Sequence, residues 1–349
     1  MSILNLDYKP NFVRFDREEL YQQIISFPQQ IEETYFQHQR NEIADFYKSI
    51  TNVIICGMGG SAIAGDLIST LYGDEFPIVV RKDYKVPTYC NENTLGIVCS
   101  YSGNTEETVS CFEQLEKQKV QIVLITSSGR LKYFAKQGYL YKFIPTGFQP
   151  RAALGHLFFA ILRMLEDVKL IPNQEVIVKI THLNVSNKLK MMAYDVEEKN
   201  NTAKQIAQRI VKKIPLIYAS NPKFSAVAYR WKCQFNENAK HPAFSHTIPE
   251  MNHNEIEAWE SPDMNENLLP IFLCDFDEEE NYKKRVSVLK DLFTKNHFNF
   301  LEVSTDGKQL MSKLFSTILL GDMITYYLAI LNRVDPSAIK YIDYLKANI

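Results

Sequence analysis

Short apolar runs alternate with stretches of helical periodicity along most of this chain. In the first half the apolar runs fall at 53–56, 78–80, 96–100, 122–126 and 141–144. Runs of this length are typical of buried strands, and the segments between them place apolar residues on one face of a helix. This alternation predicts parallel βαβ units with right-handed crossovers.

The second half repeats the pattern in outline. Sequence with helical character is found at 152–168, which is strongly apolar, and at 175–208. At 349 residues the chain exceeds the size at which one hydrophobic core usually keeps growing, so we predict two α/β subdomains. The elements predicted next are strands at 214–220, 270–274 and 300–303 and helices from 224, 278 and 308.

One stretch, Leu314 to Leu331, is nearly all apolar or small and approaches the length of a membrane span. Gly321, Asp322 and two tyrosines interrupt it. We therefore predict a helix buried in a core or in a dimer interface, and no membrane span.

Composition narrows the class of ligand. A formal net charge of −2 gives no chain-wide attraction to nucleic acid or to acidic membranes, so a small ligand is expected. The six cysteines form no CxxC pair, which favours reduced thiols in the cytoplasm. Residues 1–15 lack the apolar core of a signal peptide, so export is not expected. The seven histidines show no metal-ligand spacing, and we expect neither a metal nor a cofactor.

Two turns that follow predicted strands carry the chemistry of an anion site. Glycines at 57–61 let the backbone approach an anion closely, and the turn at 100–105 adds the hydroxyls of Ser100, Ser102 and Thr105. A single N-cap would occupy one of these hydroxyls. A phosphate monoester brings three acceptor oxygens and about two negative charges, which match the remaining donors.

The first turn also fits a different ligand. Residues 57–62 satisfy G-x-G-x-x-A, the dinucleotide fingerprint, with Arg81 and Asp83 near the end of the next strand. A nicotinamide enzyme has no need of the second, hydroxyl-rich turn, whereas a sugar phosphate needs donors from more than one side. The pattern therefore favours a sugar phosphate.

Three further residues suit acid–base or anion chemistry. Arg151 begins an apolar helix, where a cation is unfavourable unless a carboxylate or a bound anion lies nearby. Glu237 and His253 are each flanked by asparagines, which can orient a proton-transfer group without adding charge. Taken singly, each could equally be a surface or capping residue.

Together these residues resemble the sugar isomerase (SIS) fold and, more closely, the bifunctional phosphoglucose/phosphomannose isomerases, which are built from two such subdomains. The resemblance implies an α/β fold of two SIS subdomains, each a parallel sheet flanked by helices in a three-layer αβα, flavodoxin-like arrangement. Five motifs occur in the family's order: GMGGSAIAGD at 57–66, SYSGNTEET at 100–108, PRAALG at 150–155, NENAK at 236–240 and NHNEIEAW at 252–259.

The resemblance also implies roles for single residues. Glu237 is expected to be the catalytic base, Arg151 to stabilise negative charge on the substrate oxygens, and His253 to assist ring opening from the neighbouring subunit of a homodimer. Lys346 resembles a family lysine that also acts at the ring oxygen. The substrate-binding residues implied are Gly59, Gly60, Ser61, Ser100, Ser102, Thr105 and Ser337, the last being serine where threonine is expected near C2 of the sugar.

The implied activity is an aldose–ketose isomerisation of glucose 6-phosphate and mannose 6-phosphate with fructose 6-phosphate through a cis-enediol. A non-catalytic sugar-phosphate sensor, a nicotinamide-dependent enzyme and an aminosugar isomerase remain as alternatives. The expected domains are an N-terminal helical segment at 1–50, a phosphate-binding subdomain at 51–168, connecting helices at 169–208 and a second subdomain at 209–349.

Overall fold

The computed structural model describes residues 4–37, 49–261 and 265–348. The chain forms two compact units. The first unit spans Ile25–Lys179, and the second unit combines Met1–Ile24 with Ile180–Ile349. Residues 1–3 and 38–48 of the predicted N-terminal helical segment lie outside the described residues, and the domain boundaries drawn from the sequence stay a prediction.

The first unit is built around a five-stranded, all-parallel sheet with strand order β2-β1-β3-β4-β5. The central strands are almost wholly buried, which explains why they read as continuous apolar runs. The strands are β1 (Asn52–Cys56), β2 (Ile78–Arg81), β3 (Thr94–Ser100), β4 (Gln121–Thr126) and β5 (Leu140–Phe143).

Helices cover both faces of this sheet. On one face, Ile54 and Cys56 of β1 pack into a core with the helices at Glu106–Lys117 and Gly129–Ala135. On the other face, Ile55 lies against Gly65 in the helix at Gly59–Tyr72. The helices of the first unit are α3 (Phe27–Ile31), α4 (Gly59–Tyr72), α5 (Glu106–Lys117), α6 (Gly129–Ala135) and α7 (Leu154–Asp167), with a π-helix at Glu32–Phe36 and a 3₁₀ turn at Pro150–Ala152. The chain enters this unit near the end of α2 (Leu20–Ile25), which follows α1 (Pro10–Phe15), and leaves it within α8 (Glu175–Met191).

The second unit contains a four-stranded parallel sheet of order β7-β6-β8-β9, which is the order of the first sheet without its fifth strand. The predicted strands at 214–220, 270–274 and 300–303 are present. The edge strand β7 escaped sequence analysis because it is short and none of its residues is buried. The strands are β6 (Ile214–Ala219), β7 (Phe244–Thr247), β8 (Leu268–Cys274) and β9 (Leu301–Ser304).

The helical sequence predicted at 175–208 is not continuous: α8 ends at Met191 and a turn precedes the next helix. Asn201 accepts a hydrogen bond from the Lys204 amide at 3.2 Å and caps that helix, so a new N-terminus interrupts the pattern. The remaining helices are α9 (Thr202–Ile210), α10 (Ser225–Glu237), α11 (Ile248–Met251), α12 (Glu280–Lys295), α13 (Leu310–Leu331) and α14 (Lys340–Asn348), with 3₁₀ turns at Glu198–Asn200, Pro222–Phe224 and Glu255–Glu260.

Helix α13 is the core of the second unit. Among the described helices it alone is long and apolar enough to cross a membrane, and its apolar window is completely buried within the protein. It packs against α9 and α10, with the Trp231 indole donating to the Thr317 carbonyl at 2.9 Å. A core helix explains the apolar run at 314–331, and the predicted α/β fold with two parallel sheets flanked by helices is confirmed.

Candidate active site

The first sheet has one topological switch point, between β1 and β3, where the chain leaves in opposite directions. In open parallel sheets, ligands bind at the carboxyl ends of the strands beside such a point. β1 ends at Cys56 and β3 at Ser100, so the two turns singled out in the sequence both begin at this crevice.

The glycine turn brings three pieces of backbone together. A Cβ on Gly60 would lie 2.9 Å from the Pro150 carbonyl oxygen and 3.3 Å from the Arg151 Cα, so only glycine lets the 150–151 segment lie against the start of α4. Gly59 has φ +52° and no heavy atom within 4 Å of the position of a Cβ. Its backbone therefore borders open space at the crevice.

The hydroxyl turn is organised by its own side chains. The Ser100 and Thr105 hydroxyl oxygens are 2.9 Å apart, and the Gly103 amide donates to Ser100 Oγ at 3.1 Å. Thr105 is the N-cap of α5, yet its side chain caps no described backbone amide of that helix. Helix capping by its side chain therefore does not explain why threonine is found at position 105. The Thr105 hydroxyl lies at the N-terminus of α5, where an anion is favoured.

The two turns are joined to each other by Ser61. Its Oγ accepts the Tyr101 amide hydrogen at 3.3 Å, and the side chain is 5% exposed. Ser102, in contrast, is exposed, and its Oγ accepts the Asn104 amide hydrogen at 3.3 Å. Ser61 thus has a defined structural contact in addition to its predicted role at the phosphate.

A third turn, at 126–130 after β4, supports the hydroxyl turn and was missed in the sequence. Ser127 Oγ donates to the Tyr101 carbonyl at 2.6 Å, and Ser128 Oγ donates to the Ser102 carbonyl at 3.1 Å. Gly103 has φ +68°, and a Cβ there would lie 1.9 Å from the Ser128 carbonyl oxygen. The signal was present, because Thr126-Ser127-Ser128-Gly129 is as rich in hydroxyls and glycine as the turn it supports.

Arg151 lies in the 3₁₀ turn that precedes α7, three residues before the α-helix begins at Leu154. Its side chain is 4% exposed and Nη1 is 3.4 Å from Gln149 Oε1. A guanidinium this deeply buried requires hydrogen-bonding or charged partners. The Arg151 backbone packs directly against Gly60, so the first unit brings Arg151 next to the glycine turn.

His156 lies further along the same segment and is fully buried on α7. Its Nδ1 is 2.6 Å from Thr34 Oγ1. Desolvation lowers the pKa of this imidazole to about 4, and the nearby Glu33 carboxylate only partly opposes that shift. The ring is therefore neutral at physiological pH and belongs to the support of α7.

In the second unit, Glu237 is the last residue of α10 and is half-buried. One face of α10 is tied to α13 by polar contacts at four-residue spacing. Arg230 Nη2 donates to Asp322 Oδ2 at 2.7 Å and Gln234 Nε2 donates to Asp322 Oδ1 at 3.0 Å. Such buried bonds fix the rotation of the helix and hence the direction of Glu237.

His253 is exposed on the turn after α11. Among the described residues its imidazole has no hydrogen-bonding or ion-pair partner. The turn itself is anchored, because the buried Tyr218 hydroxyl donates to Glu255 Oε1 at 2.6 Å. Burial, reinforced by the Glu255 charge, raises the pKa of Tyr218.

The two remaining predicted residues follow α13. Ser337 is 1% exposed, and its amide donates to Asp335 Oδ1 at 2.9 Å. Lys346 lies on α14, a helix without a buried residue among those described. The apolar side chains of Tyr341, Tyr344 and Leu345 on that helix are between 56% and 87% exposed.

Two carboxylate side chains of the protein, Glu278 and Asp275, lie at the corresponding switch point of the second sheet, between β6 and β8. Ser220 Oγ donates to Glu278 Oε2 at 2.5 Å and Asn221 Nδ2 donates to the same oxygen at 2.7 Å. Asp275, which follows β8, accepts from Lys313 Nζ at 2.8 Å. Ser220, Asn221 and Lys313 thus donate to the protein's own carboxylates, which makes this crevice a poorer candidate for anion binding than the one in the first sheet.

A cavity of about 530 Å³ opens at the amino ends of the strands of the second sheet. Lys213, Leu268 and Phe298, among its lining residues, lie at or just before the amino ends of β6, β8 and β9. Ligands of parallel sheets bind at carboxyl ends, so this cavity is not the candidate site.

The described residues contain no group of three or more side chains suited to hold a metal ion.

Comparison with known proteins identifies relatives over nearly the whole chain. The family profile of the bacterial phospho-glucose isomerase C-terminal SIS domain matches residues 199–349. A bifunctional phosphoglucose/phosphomannose isomerase of Caldicellulosiruptor bescii is 35% identical over 334 residues, covering 94% of this chain and 98% of that protein. A protein of the same name from Thermoplasma volcanium is 37% identical over 299 residues, covering 85% and 91%.

One relative carries a different name. A D-glucosamine-6-phosphate 4-epimerase of Sulfolobus acidocaldarius is 32% identical over 230 residues, covering 65% of this chain and 69% of that protein. Among solved structures, the C-terminal domain of glucosamine-fructose-6-phosphate aminotransferase from Francisella tularensis matches with a TM-score of 0.73 at 14% identity, covering 91% of this chain and 98% of that chain. The tagatose-6-phosphate ketose/aldose isomerase of Escherichia coli matches with a TM-score of 0.69 at 12% identity, covering 91% and 95%. At these identities the structures establish the fold alone.

Proposed function

The chain belongs to the family of bifunctional phosphoglucose/phosphomannose isomerases, and we propose that it interconverts glucose 6-phosphate and mannose 6-phosphate with fructose 6-phosphate through a cis-enediol. It is an isomerase with the SIS fold in both halves. The observation that carries the proposal is the pair of turns at the β1/β3 switch point, where hydroxyls and glycine backbone border one crevice.

The phosphate binds at that crevice in this proposal. Ser61, Ser100, Ser102 and Thr105 supply hydroxyls, and Gly59 and Gly60 supply backbone close to the anion. A doubly charged ester gains from such donors and from the N-terminus of α5. Binding energy at the phosphate, remote from the reacting carbons, helps to position C1 and C2.

Proton transfer between C2 and C1 is assigned to Glu237. A carbon acid beside a carbonyl is weak, so the enediolate that forms requires fixed positive charge, which Arg151 supplies. Because the intermediate is planar at C2, one carboxylate serves both the glucose and the mannose epimer. Ser337 contacts the substrate near C2 in this proposal.

Ring opening is assigned to His253 and Lys346. We propose a homodimer in which His253 acts in the site of the neighbouring subunit. Exposed apolar side chains on α14 support a partner surface, since monomers rarely leave such groups together in water. The enzyme is proposed to act in the cytoplasm, in glycolysis and gluconeogenesis, without metal or cofactor.

The first experiment is a coupled assay with glucose 6-phosphate, mannose 6-phosphate and glucosamine 6-phosphate in the presence of EDTA. We expect turnover of the first two substrates and none of the third. The glucosamine arm tests the second candidate, an aminosugar-phosphate enzyme, which the Sulfolobus relative favours. Turnover of glucosamine 6-phosphate alone would contradict the proposal.

The base is tested by Glu237→Gln, which preserves shape and removes the proton acceptor. General base catalysis is worth about 10²- to 10⁴-fold, so kcat should fall by that factor while fructose 6-phosphate binding persists. Wild-type turnover would reject the assignment.

Subunit sharing is tested by mixing Glu237→Gln with His253→Gln. If His253 crosses the interface, each mixed dimer regains one intact site and about half of its wild-type activity. If both residues act within one subunit, mixing restores nothing.

A further inference from the structure

Lys240, in the NENAK motif, has no role in the reaction described above. Its ammonium lies among three backbone carbonyls: Nζ is 2.6 Å from the Glu237 oxygen, 3.3 Å from the Asn238 oxygen and 3.3 Å from the Pro336 oxygen. The residue has φ +51°, a left-handed conformation that turns the chain just beyond the end of α10. This turn lets the side chain fold back onto the carbonyls of the last helical turn.

Two of these carbonyls, those of Glu237 and Asn238, lie in the segment that carries the proposed base. The last carbonyls of an α-helix have no partner within the helix, and the negative end of the helix dipole lies there. Lys240 covers the carbonyls of Glu237 and Asn238, and Asn332 Nδ2 donates to the next one, of Ala239, at 3.0 Å. Side-chain donors therefore hold the three successive backbone carbonyls that begin at Glu237 and continue beyond the end of α10.

The same ammonium also reaches a second segment. Pro336 lies directly before Ser337, so Lys240 joins the end of α10 to the turn at 335–337. An ordinary C-terminal cap contacts only its own helix. A lysine shared between the helix that ends in Glu237 and a neighbouring turn does more, because it sets the distance between them.

We propose that Lys240 is a positioning residue for Glu237, an inference that rests on the proposed function of Glu237 as the base. Its charge holds the last turn of α10 against the 335–337 turn and keeps the carboxylate at the reacting carbons. Misplacement of a catalytic group by about 1 Å costs on the order of 10²-fold in rate. Lys240 acts through the backbone and does not touch the substrate.

The test compares Lys240→Met, Lys240→Gln and Lys240→Arg. The first two remove the charge, whereas arginine keeps a cation able to reach the carbonyls. The matched control is Lys295→Met, since Lys295 is also an exposed cation at a helix C-terminus, that of α12. Measurements are kcat and KM for fructose 6-phosphate, the inhibition constant of inorganic phosphate and the melting temperature.

We expect Lys240→Met and Lys240→Gln to lower kcat by about 10- to 100-fold, with KM and phosphate inhibition within about twofold of wild type. Lys240→Arg should recover most of the rate, and Lys295→Met should keep the wild-type kcat. Either neutral variant suffices if the other does not fold.

A folded neutral variant with wild-type kcat would overturn the inference, as would a loss of rate equal to that of Lys295→Met. Weakened phosphate inhibition would do the same, because it would indicate a general disturbance. Failure of the underlying function is seen separately: an active Glu237→Gln rejects the base itself, whatever Lys240 does.

Discussion

Gly103→Ala is the sharpest test of the phosphate site. The new Cβ would lie 1.9 Å from the Ser128 carbonyl oxygen and 2.7 Å from Thr126 Oγ1, so the hydroxyl turn must move away from its supporting turn. The left-handed φ of +68° adds a cost of roughly 1–2 kcal/mol for a residue with a side chain. Both effects displace Ser100 and Thr105 together.

The size of the effect follows from the bonds at risk. A hydrogen bond to a charged group contributes about 1.5–3 kcal/mol, and about 1.4 kcal/mol corresponds to a factor of ten. Loss of one phosphate contact therefore raises the KM for fructose 6-phosphate by about 10- to 100-fold. The inhibition constant of inorganic phosphate should rise in parallel, since phosphate has no reacting carbons.

The control is Gly138→Ala. Gly138 also has a positive φ, of +107°, but no heavy atom lies within 4 Å of the position of a Cβ. This variant carries backbone strain without a clash at the crevice. Coupled assays of KM, phosphate inhibition and melting temperature on both variants separate strain from displacement. A folded Gly103→Ala protein with wild-type KM and phosphate inhibition would refute the reasoning, as would equal losses in Gly138→Ala.

Two further variants test the supports of the site. His156→Gln addresses pH: the pKa of His156 is lowered from 6.5 to about 4 in the folded state, so the unfolded chain binds the proton more readily. The wild-type fold therefore loses up to about 3 kcal/mol as pH falls from about 6.5 to 4, and melting temperatures of the variant should show a smaller decline over that window. An unchanged pH dependence would count against the buried neutral ring. Tyr218→Phe removes the hydrogen bond to Glu255 and should cost about 1.5–3 kcal/mol of stability together with a lower kcat, measured by denaturant unfolding and the coupled assay. Wild-type kcat in that variant would mean that the turn bearing His253 needs no anchor.

Much of the site's framework could be inferred from sequence because its parts are local. The runs at 53–56, 96–100 and 122–126 became β1, β3 and β4 within two residues at each end, since strands buried on both faces must be continuously apolar. The glycine and hydroxyl turns were found because each lies directly after such a run. Their shared crevice follows from parallel strands ending on the same edge.

In the second half, the resemblance implied the roles of Glu237 and His253 and the choice of Ser337 and Lys346, and the structure describes only the surroundings of these residues. Glu237 ends α10, the helix predicted from residue 224, whereas the anchoring of the turn that bears His253 does not follow from the pattern of apolar residues. β7 was missed for a related reason, because an exposed edge strand carries little apolar signal.

By itself the sequence determined which segments are buried, which turns carry hydroxyls and glycine, and where an anion could approach backbone. Only the tertiary structure decided that the Arg151 backbone lies against Gly60, that the 126–130 turn supports the backbone at 101–102, and that Glu278 lies in the second crevice. The physical reason is the separation along the chain of the residues that interact. Burial and turn conformation are properties of neighbouring residues, whereas these contacts join residues far apart in the chain and depend on how the packed elements meet.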